Sequence, residues 1–474
     1  MLPFSIYTLG CKLNQLESEA VAGAFARRGF PVVSWDGAGE EPCILVLNTC
    51  TVTSKAEQKA RRLIRNVLRA RPLSCLIITG CYAQLEAAVL ESLREDLGGD
   101  QNRFFILSGT RKGNLLELPQ FILDASGGLE ACSGRLYSEP EFLPSLIQAW
   151  YEGKKTLPRP DPFCFVPGDF LFHSRAFLKI QDGCDRRCSY CRVSLARGPG
   201  VSLAAEAALA LLRDLEARGY GEAVLTGVNI HLYRSGGLDL GKLLGYLLDN
   251  TKKIALRLSS TEPEGLKDDF IKVLENPRIR PHFHLSLQSG SPRVLERMRR
   301  PYTPEAVERG IGLLRSLRGD PFLACDIIAG FPGETPEDFE KTYEFCRRIG
   351  FSWIHPFPYS RRPGTEAYGF QGAVPEREAV LRVNRLLGLA REGRRAYISR
   401  WMGKQVDAVI EDPGKGDAPF IPAVSDNYLK LLIPRDSDFS PSPGSSLRCR
   451  ICPFPGGEGA PDYARFDAAA ERIQ

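Results

Sequence analysis

The chain has 474 residues, 43% apolar and 25% charged, with a formal net charge of +5. At about 150 residues per domain this length predicts about three domains. The composition excludes a disordered or fibrous chain, and the mild charge does not by itself point to nucleic acid. No uncharged apolar run reaches the roughly 18 residues a membrane span needs. The opening residues lack a basic segment and a small-residue cleavage site, so a cytoplasmic location with no membrane association is expected. Fourteen cysteines are many for a reducing compartment; metal or redox chemistry explains them better than disulfides.

Residues 4–9 read as a strand, 16–28 as a helix, 43–48 as a second strand and 76–80 as a third. Ser54 and Glu57 suggest a capping box for a helix carrying Ala60, Leu63, Ile64, Val67 and Leu68. Strand–helix alternation predicts an N-terminal parallel α/β layer domain over residues 1–131. Six prolines from Pro140 to Pro167 predict a linker over 132–169. Strand candidates at 176–181, 222–228, 254–259, 282–287, 323–329 and 353–357, with helices between, predict an incomplete (β/α)6 barrel over 170–400. Short strands at 406–411, 419–424, 428–433 and 447–451 predict a small antiparallel β-barrel over 401–465, of a type that holds RNA. Residues from about 461 read as a loose helix.

Cys184, Cys188 and Cys191 have the spacing Cys-x3-Cys-x2-Cys on a loop directly after a strand. Three thiolates on such a loop suit three corners of an iron–sulfur cubane and leave the fourth iron open to a small molecule. A zinc knuckle or an incidental cluster is the alternative. Cys11, Cys50 and Cys81 each follow a predicted strand, and in a parallel sheet the loops at neighbouring carboxyl ends share one edge. They either converge or are ordinary core cysteines. Cys43, Cys75, Cys325 and Cys346 read as core; Cys449 and Cys452 are weak metal candidates.

The 184–191 motif resembles the radical S-adenosylmethionine (SAM) superfamily. The settings of Cys11, Cys50 and Cys81 resemble the N-terminal domain of the methylthiotransferases. So do the stretches 224–229, 257–260, 285–291 and 326–335, and the C-terminal barrel resembles that family's TRAM domain. The resemblance implies two 4Fe-4S clusters, one on Cys184, Cys188 and Cys191 with SAM on its open iron, and an auxiliary one on Cys11, Cys50 and Cys81. It also implies two uses of SAM, one supplying a methyl group to sulfur and one a radical that activates the substrate carbon. Asp185 and the stretch 192–198 depart from the family's usual residues.

Residues 8–15, 354–360 and 361–365 look most like the bacterial branch that modifies C2 of N6-threonylcarbamoyladenosine at tRNA position 37. Other branches act on isopentenylated adenosine in tRNA or on a ribosomal-protein aspartate. A non-catalytic, redox-sensing iron–sulfur RNA binder is the reading from a different class. The resemblance implies the tRNA anticodon loop as partner, a flavodoxin- or ferredoxin-like electron donor, and a sulfur donor that the sequence leaves unnamed. Tyr190, Gly227, Asn229, Gln288 and Asp326 are candidate SAM contacts, or else structural turn and core-polar residues. Lys55, Lys59, Arg61, Arg62, Arg65 and Arg69 on one helix, and Arg293, Arg297, Arg299 and Arg300, are candidate phosphate contacts or solvated charge.

Overall fold

The computed structural model describes residues 2–35, 41, 43–96, 101–155, 160–412, 419–435, 441–454 and 465–473. The backbone divides into two units. The first comprises Met1–Phe172 with Asp182–Asp185 and Cys191–Pro199; the second comprises His173–Gln181, Arg186–Tyr190 and Gly200–Gln474.

In the first unit, Phe4–Thr8, Ile44–Thr49, Cys75–Gly80 and Phe104–Ile106 form a four-stranded parallel sheet in chain order. Successive side chains point to opposite faces. Ile44, Val46, Ile77 and Phe105 therefore enter one core, while Leu45, Leu47, Leu76 and Ile78 enter the other. Helix Lys12–Ala26 covers the first face through Val21 and Phe25. Helix Ser54–Ala70 covers the second through Ala60, Ile64 and Val67. Burial on both faces explains the nearly unbroken apolar strands.

The linker expected over 132–169 is corrected in its first part. Leu129–Ser138 and Phe142–Lys155 are helices, and Cys132, Leu143, Ile147 and Trp150 are buried in the first core. Pro140 precedes the second helix and Pro144 falls in its first turn, where a missing N–H interrupts no helical hydrogen bond. The prolines punctuate helices here. Residues 156–159 lie outside the described residues.

The second unit contains the incomplete barrel. Its parallel strands are Ala176–Lys179, Glu222–Thr226, Ala255–Leu258 continuing after Ser259 as Ser260–Thr261, His282–Gln288, Phe322–Ala329 and Trp353–Pro358. Helix Glu376–Trp401 leads to a closed barrel of Gln405–Ile410, Phe420–Ser425, Lys430–Pro434, Ala468–Arg472 and Ser446–Cys452, as expected of a TRAM-like module. Two details differ from the sequence reading. Ala468–Arg472 is a strand, not part of a helix, and it pairs in parallel with Lys430–Pro434. Alanines favour helix in isolation, but Ala468 and Ala470 are buried inside this barrel, where small side chains fit and packing overrides propensity. Residues 455–464 lie outside the described residues.

The half-barrel and the closed barrel share one core: Phe322, Ala324 and Tyr397 pack with Val406, Ile421, Leu431 and Ile451. Beside it lies a buried ion cluster. Glu222 and Arg257 are inaccessible to water and pair at 2.6 Å, and Arg280 approaches Glu222 at 3.1 Å. Arg257 also donates to the Ser425 carbonyl at 3.1 Å. Burial alone would push the Glu222 carboxyl up, but the two arginines outweigh it and bring it down to about 2. The stabilisation from Glu222 is therefore complete above the unfolded carboxylate range and is lost as pH falls towards about 2. Replacing Glu222 with Ala leaves buried Arg257 without its paired carboxylate and Arg280 with only Asp407 at 3.7 Å, and should cost about 3–5 kcal/mol. Thermal denaturation at neutral pH should show the loss, and the gap from wild type should narrow in acid.

Candidate active site: two cysteine triads

Cys11, Cys50 and Cys81 each sit at the carboxyl end of a strand in the first unit's sheet. Glycine brings the loops together. Gly10 has φ +113°, and a Cβ there would lie 2.8 Å from Cys50 Cβ and 3.1 Å from its sulfur. Gly80 has φ +97°, and a Cβ there would lie 2.3 Å from the Thr49 carbonyl. Asn14 staples the first two loops, because its Nδ2 donates to the Leu9 carbonyl at 2.8 Å and the Thr49 carbonyl at 3.1 Å. Asn48 donates back to the Asn14 carbonyl at 3.0 Å. Thr49 Oγ1 donates to the Thr79 carbonyl at 2.5 Å and so ties in the third loop.

The thiols sense one another. Burial, with added repulsion from Cys11 and Cys81, pushes the Cys50 thiol up to about 12. Burial also raises Cys81, while Arg197 and Lys112 pull it down. Both cations are buried: Lys112 Nζ lies 2.5 Å from Glu17, and Arg197 lies 2.9 Å from Glu17 and 3.1 Å from Asp182. Arg197 Nη2 donates to Asn14 Oδ1 at 2.9 Å. Burial alone would favour loss of the Arg197 proton, but Asp182, Glu17, Cys81 and Cys11 hold the guanidinium charged. Arg197 opposes the rise at Cys50, and Arg197 with Lys112 opposes it at Cys81, without overcoming burial.

Cys184, Cys188 and Cys191 are all partly exposed. Cys184 and Cys191 belong to the first unit and Cys188 to the second. The Cys184 N–H donates to the Gly198 carbonyl at 3.0 Å. A Cβ on Gly183 would lie 1.9 Å from the Pro199 carbonyl, so the start of this loop requires glycine. Arg192, where the sequence departs from the family pattern, is buried, with Nη2 2.6 Å from Glu86 and Nη1 3.5 Å from Glu57. Its Nη1 also donates to Thr51 Oγ1 at 3.2 Å. The residue after Cys191 is thereby tied to segments following Cys50 and Cys81. Glu57, expected to complete a capping box with Ser54, accepts from Thr51 instead. Thr53 caps the helix, accepting from the Ala56 N–H at 3.2 Å.

In the second unit, the candidate SAM contacts lie at or near the carboxyl ends of the half-barrel strands. Tyr190 packs edge-on to Phe331 at 6.4 Å. A Cβ on Gly227 would lie 3.0 Å from Gln181, whose Oε1 accepts from the Asn229 N–H at 2.8 Å. Asn229 Nδ2 donates to Glu262 at 3.2 Å, while Asn229 Oδ1 is buried without a partner. Burial pushes the Glu262 carboxyl up to about 7, against the pull of Arg300. Gln288 has φ +66°, a strained conformation of the kind found at ligand sites. Asp326 lies 2.9 Å from His284, lower on the strand than the others.

The arginines of the second candidate phosphate-binding group have protein partners, although Arg293 and Arg299 stay about half exposed. Arg293 pairs with Asp338, Arg299 with Glu366 at 2.8 Å, and Arg300 with Glu262. Arg297 donates to the Pro332 carbonyl at 3.2 Å, and Arg300 Nη1 lies 3.3 Å from Cys188 sulfur. Arg300 thereby reaches the cysteine loop. By contrast, Lys55, Lys59, Arg62, Arg65 and Arg69 remain exposed, while Arg61 donates to Tyr82 Oη at 2.8 Å. Asn14, Glu17, Lys112, Arg197 and Glu262 were not singled out from the sequence. Asn14 and Glu17 left one trace: polar residues three and six positions after Cys11, on a helix that also carries Leu13, Leu16, Val21 and Phe25.

Among the described residues no group of three or more His, Cys, Asp or Glu side chains is gathered to hold a metal ion. A polynuclear iron–sulfur core spreads its thiolates over several metal atoms, and two sulfur-only triads match that donor set. Residues 178–346 match the radical SAM superfamily, and residues 3–98 match Uncharacterized protein family UPF0004. The threonylcarbamoyladenosine tRNA methylthiotransferase MtaB of Treponema pallidum is 40% identical over 95% of this chain and 98% of its own. The chain belongs to the radical SAM methylthiotransferases. The Thermotoga maritima member named threonylcarbamoyladenosine tRNA methylthiotransferase MtaB is 34% identical over 86% of each chain. A tRNA-2-methylthio-N(6)-dimethylallyladenosine synthase of Jannaschia is 30% identical over 88% of this chain and 85% of its own. As a radical SAM methylthiotransferase, the protein uses SAM and 4Fe-4S chemistry.

Asn14→Ala would leave the Leu9 and Thr49 carbonyls without their donor, a loss of about 1–3 kcal/mol. Cys11 and Cys50 of the metal-free protein should then alkylate faster than in wild type, read by mass spectrometry of the labelled peptides.

Proposed function

We propose that the protein methylthiolates C2 of N6-threonylcarbamoyladenosine at position 37 of tRNA, with both triads loaded. The observation that carries this reading is the presence of two separate sulfur-only triads in one chain. The 40% identity to a relative named for that nucleoside supports the substrate.

In this reading Cys184, Cys188 and Cys191 hold one 4Fe-4S cluster and leave one iron for SAM, while Cys11, Cys50 and Cys81 hold the second. When bound, these groups would, with SAM, supply the radical that activates the target carbon and a site at which sulfur is methylated. The chain's own residues fix where this happens. Asn229 Oδ1, buried and lacking a donor, suits an amino group. Arg300 places positive charge against Cys188 sulfur. Asn14 and Thr49 set the spacing of the first triad, and Arg197 balances its charge. The exposed basic face of helix Ser54–Ala70 and the C-terminal barrel offer contacts to tRNA phosphates, which would make affinity fall with salt. Electrons come from a flavodoxin- or ferredoxin-like partner. Among the described residues no helix is long and apolar enough to cross a membrane.

Nucleosides from tRNA of a deletion strain test the substrate. Loss of the methylthio form of threonylcarbamoyladenosine, with the unmodified precursor accumulating, is expected. Loss of the dimethylallyl product, or an unchanged profile, would overturn it. The two-cluster assignment predicts about eight irons per chain after anaerobic reconstitution. Changing Cys184, Cys188 and Cys191 together to Ala should leave about half of that iron, with electron paramagnetic resonance showing the cluster that remains.

A further inference from the structure

The lumen of the half-barrel contains a polar layer that the mechanism above leaves unused. On three adjacent parallel strands, His284, Asp326 and His355 point to the same side as Phe322 and Ala324, which pack on the C-terminal barrel. His284 Nε2 lies 2.9 Å from Asp326 Oδ1. The rings of His284 and His355 are parallel within 5°, with centroids 5.1 Å apart. The indole N–H of Trp353 donates to His355 Nδ1 at 3.2 Å, which assigns the proton of a neutral His355 ring to Nε2. Two residues further along its strand, about 6–7 Å, Phe357 is 44% exposed. On the neighbouring strand at that level, Ile328 packs against the same cluster as Tyr190.

Closed eight-stranded barrels fill this space with branched aliphatic side chains. Here the floor is apolar and closed, but the middle layer is two imidazoles and a carboxylate, and the next level carries an exposed ring. His284 and Asp326 keep about a fifth of their side-chain surface accessible, 20% and 23%, so the layer faces open space. Flat rings flanked by hydrogen-bonding edges are what recognise an unstacked base of a single-stranded RNA loop. We infer that His284, Asp326, His355 and Phe357 form the pocket that receives the target adenine. The imidazole and carboxylate groups address the base edge, and Phe357 stacks on its face. This rests on the tRNA reading above and moves Asp326 from the expected SAM contacts to the substrate.

The test uses the anaerobically reconstituted full chain and two anticodon stem-loop RNAs, one with adenosine at position 37 and one abasic there. Stacking of one base contributes about 1–3 kcal/mol. Wild type should therefore prefer the adenosine loop about 5- to 150-fold, and saturating SAM should leave that preference in place. Phe357→Ala and His284→Ala should bring the ratio close to one while abasic-loop affinity is kept, and Phe357→Tyr should restore it. Phe357 is largely exposed, so its variants should fold. Variants that keep the wild-type ratio overturn the inference. So does a preference that disappears when SAM is added, because SAM would then fill the layer. Failure of wild type to bind either loop would instead overturn the tRNA reading.

Discussion

The Arg197 guanidinium, buried between two carboxylates, organises the first unit's site. Its two nearest acidic partners lie far apart in the chain: Glu17 on the helix after Cys11, and Asp182 at the start of the loop that carries Cys184. Arg197 itself lies on the segment after Cys191. One side chain therefore fastens both cysteine motifs to a common point, and Asn14 joins it while holding the Cys11 and Cys50 loops. Burying such an ion cluster gains little stability over apolar packing. Its value lies in where it fixes its charges: Arg197 and Lys112 both act on the Cys81 thiol against the effect of burial. Lys112 and Arg197 neutralise Glu17 and Asp182, so negative charge added on sulfur meets cations already in place. The same logic places Arg300 beside Cys188 in the second unit.

Much of this was legible in the sequence because it is local. The Cys184, Cys188 and Cys191 spacing is covalent, and the Cys11, Cys50 and Cys81 grouping follows from strand ends in a parallel sheet. The six barrel strands announced themselves as apolar runs. What was missed depends on tertiary surroundings. Arg293, Arg297, Arg299 and Arg300 look in sequence like a solvated basic patch, and only the fold reveals their carboxylates and carbonyls. Glu262 carried no signal, since burial alone sets it apart from other glutamates. The prolines of the supposed linker mark a helix start that local rules allow, whereas at the alanines of 468–470 packing overrides helix propensity. The strand Phe104–Ile106, three residues long, was too short for periodicity to reveal.

The C-terminal barrel resembles an RNA-binding module, yet its core is continuous with the half-barrel through Phe322, Ala324 and Tyr397. The Glu222, Arg257 and Arg280 cluster reinforces that junction with groups that water does not reach. A TRAM-like domain joined in this way closes one end of the half-barrel's core.

That continuity limits how the chain can be rearranged. A truncation after the long helix would uncover the underside of the catalytic scaffold and strand Arg257 without its Ser425 acceptor. The excised C-terminal piece would in turn display a sticky apolar face. The C-terminal barrel is therefore part of the scaffold's own core and not an exchangeable appendage.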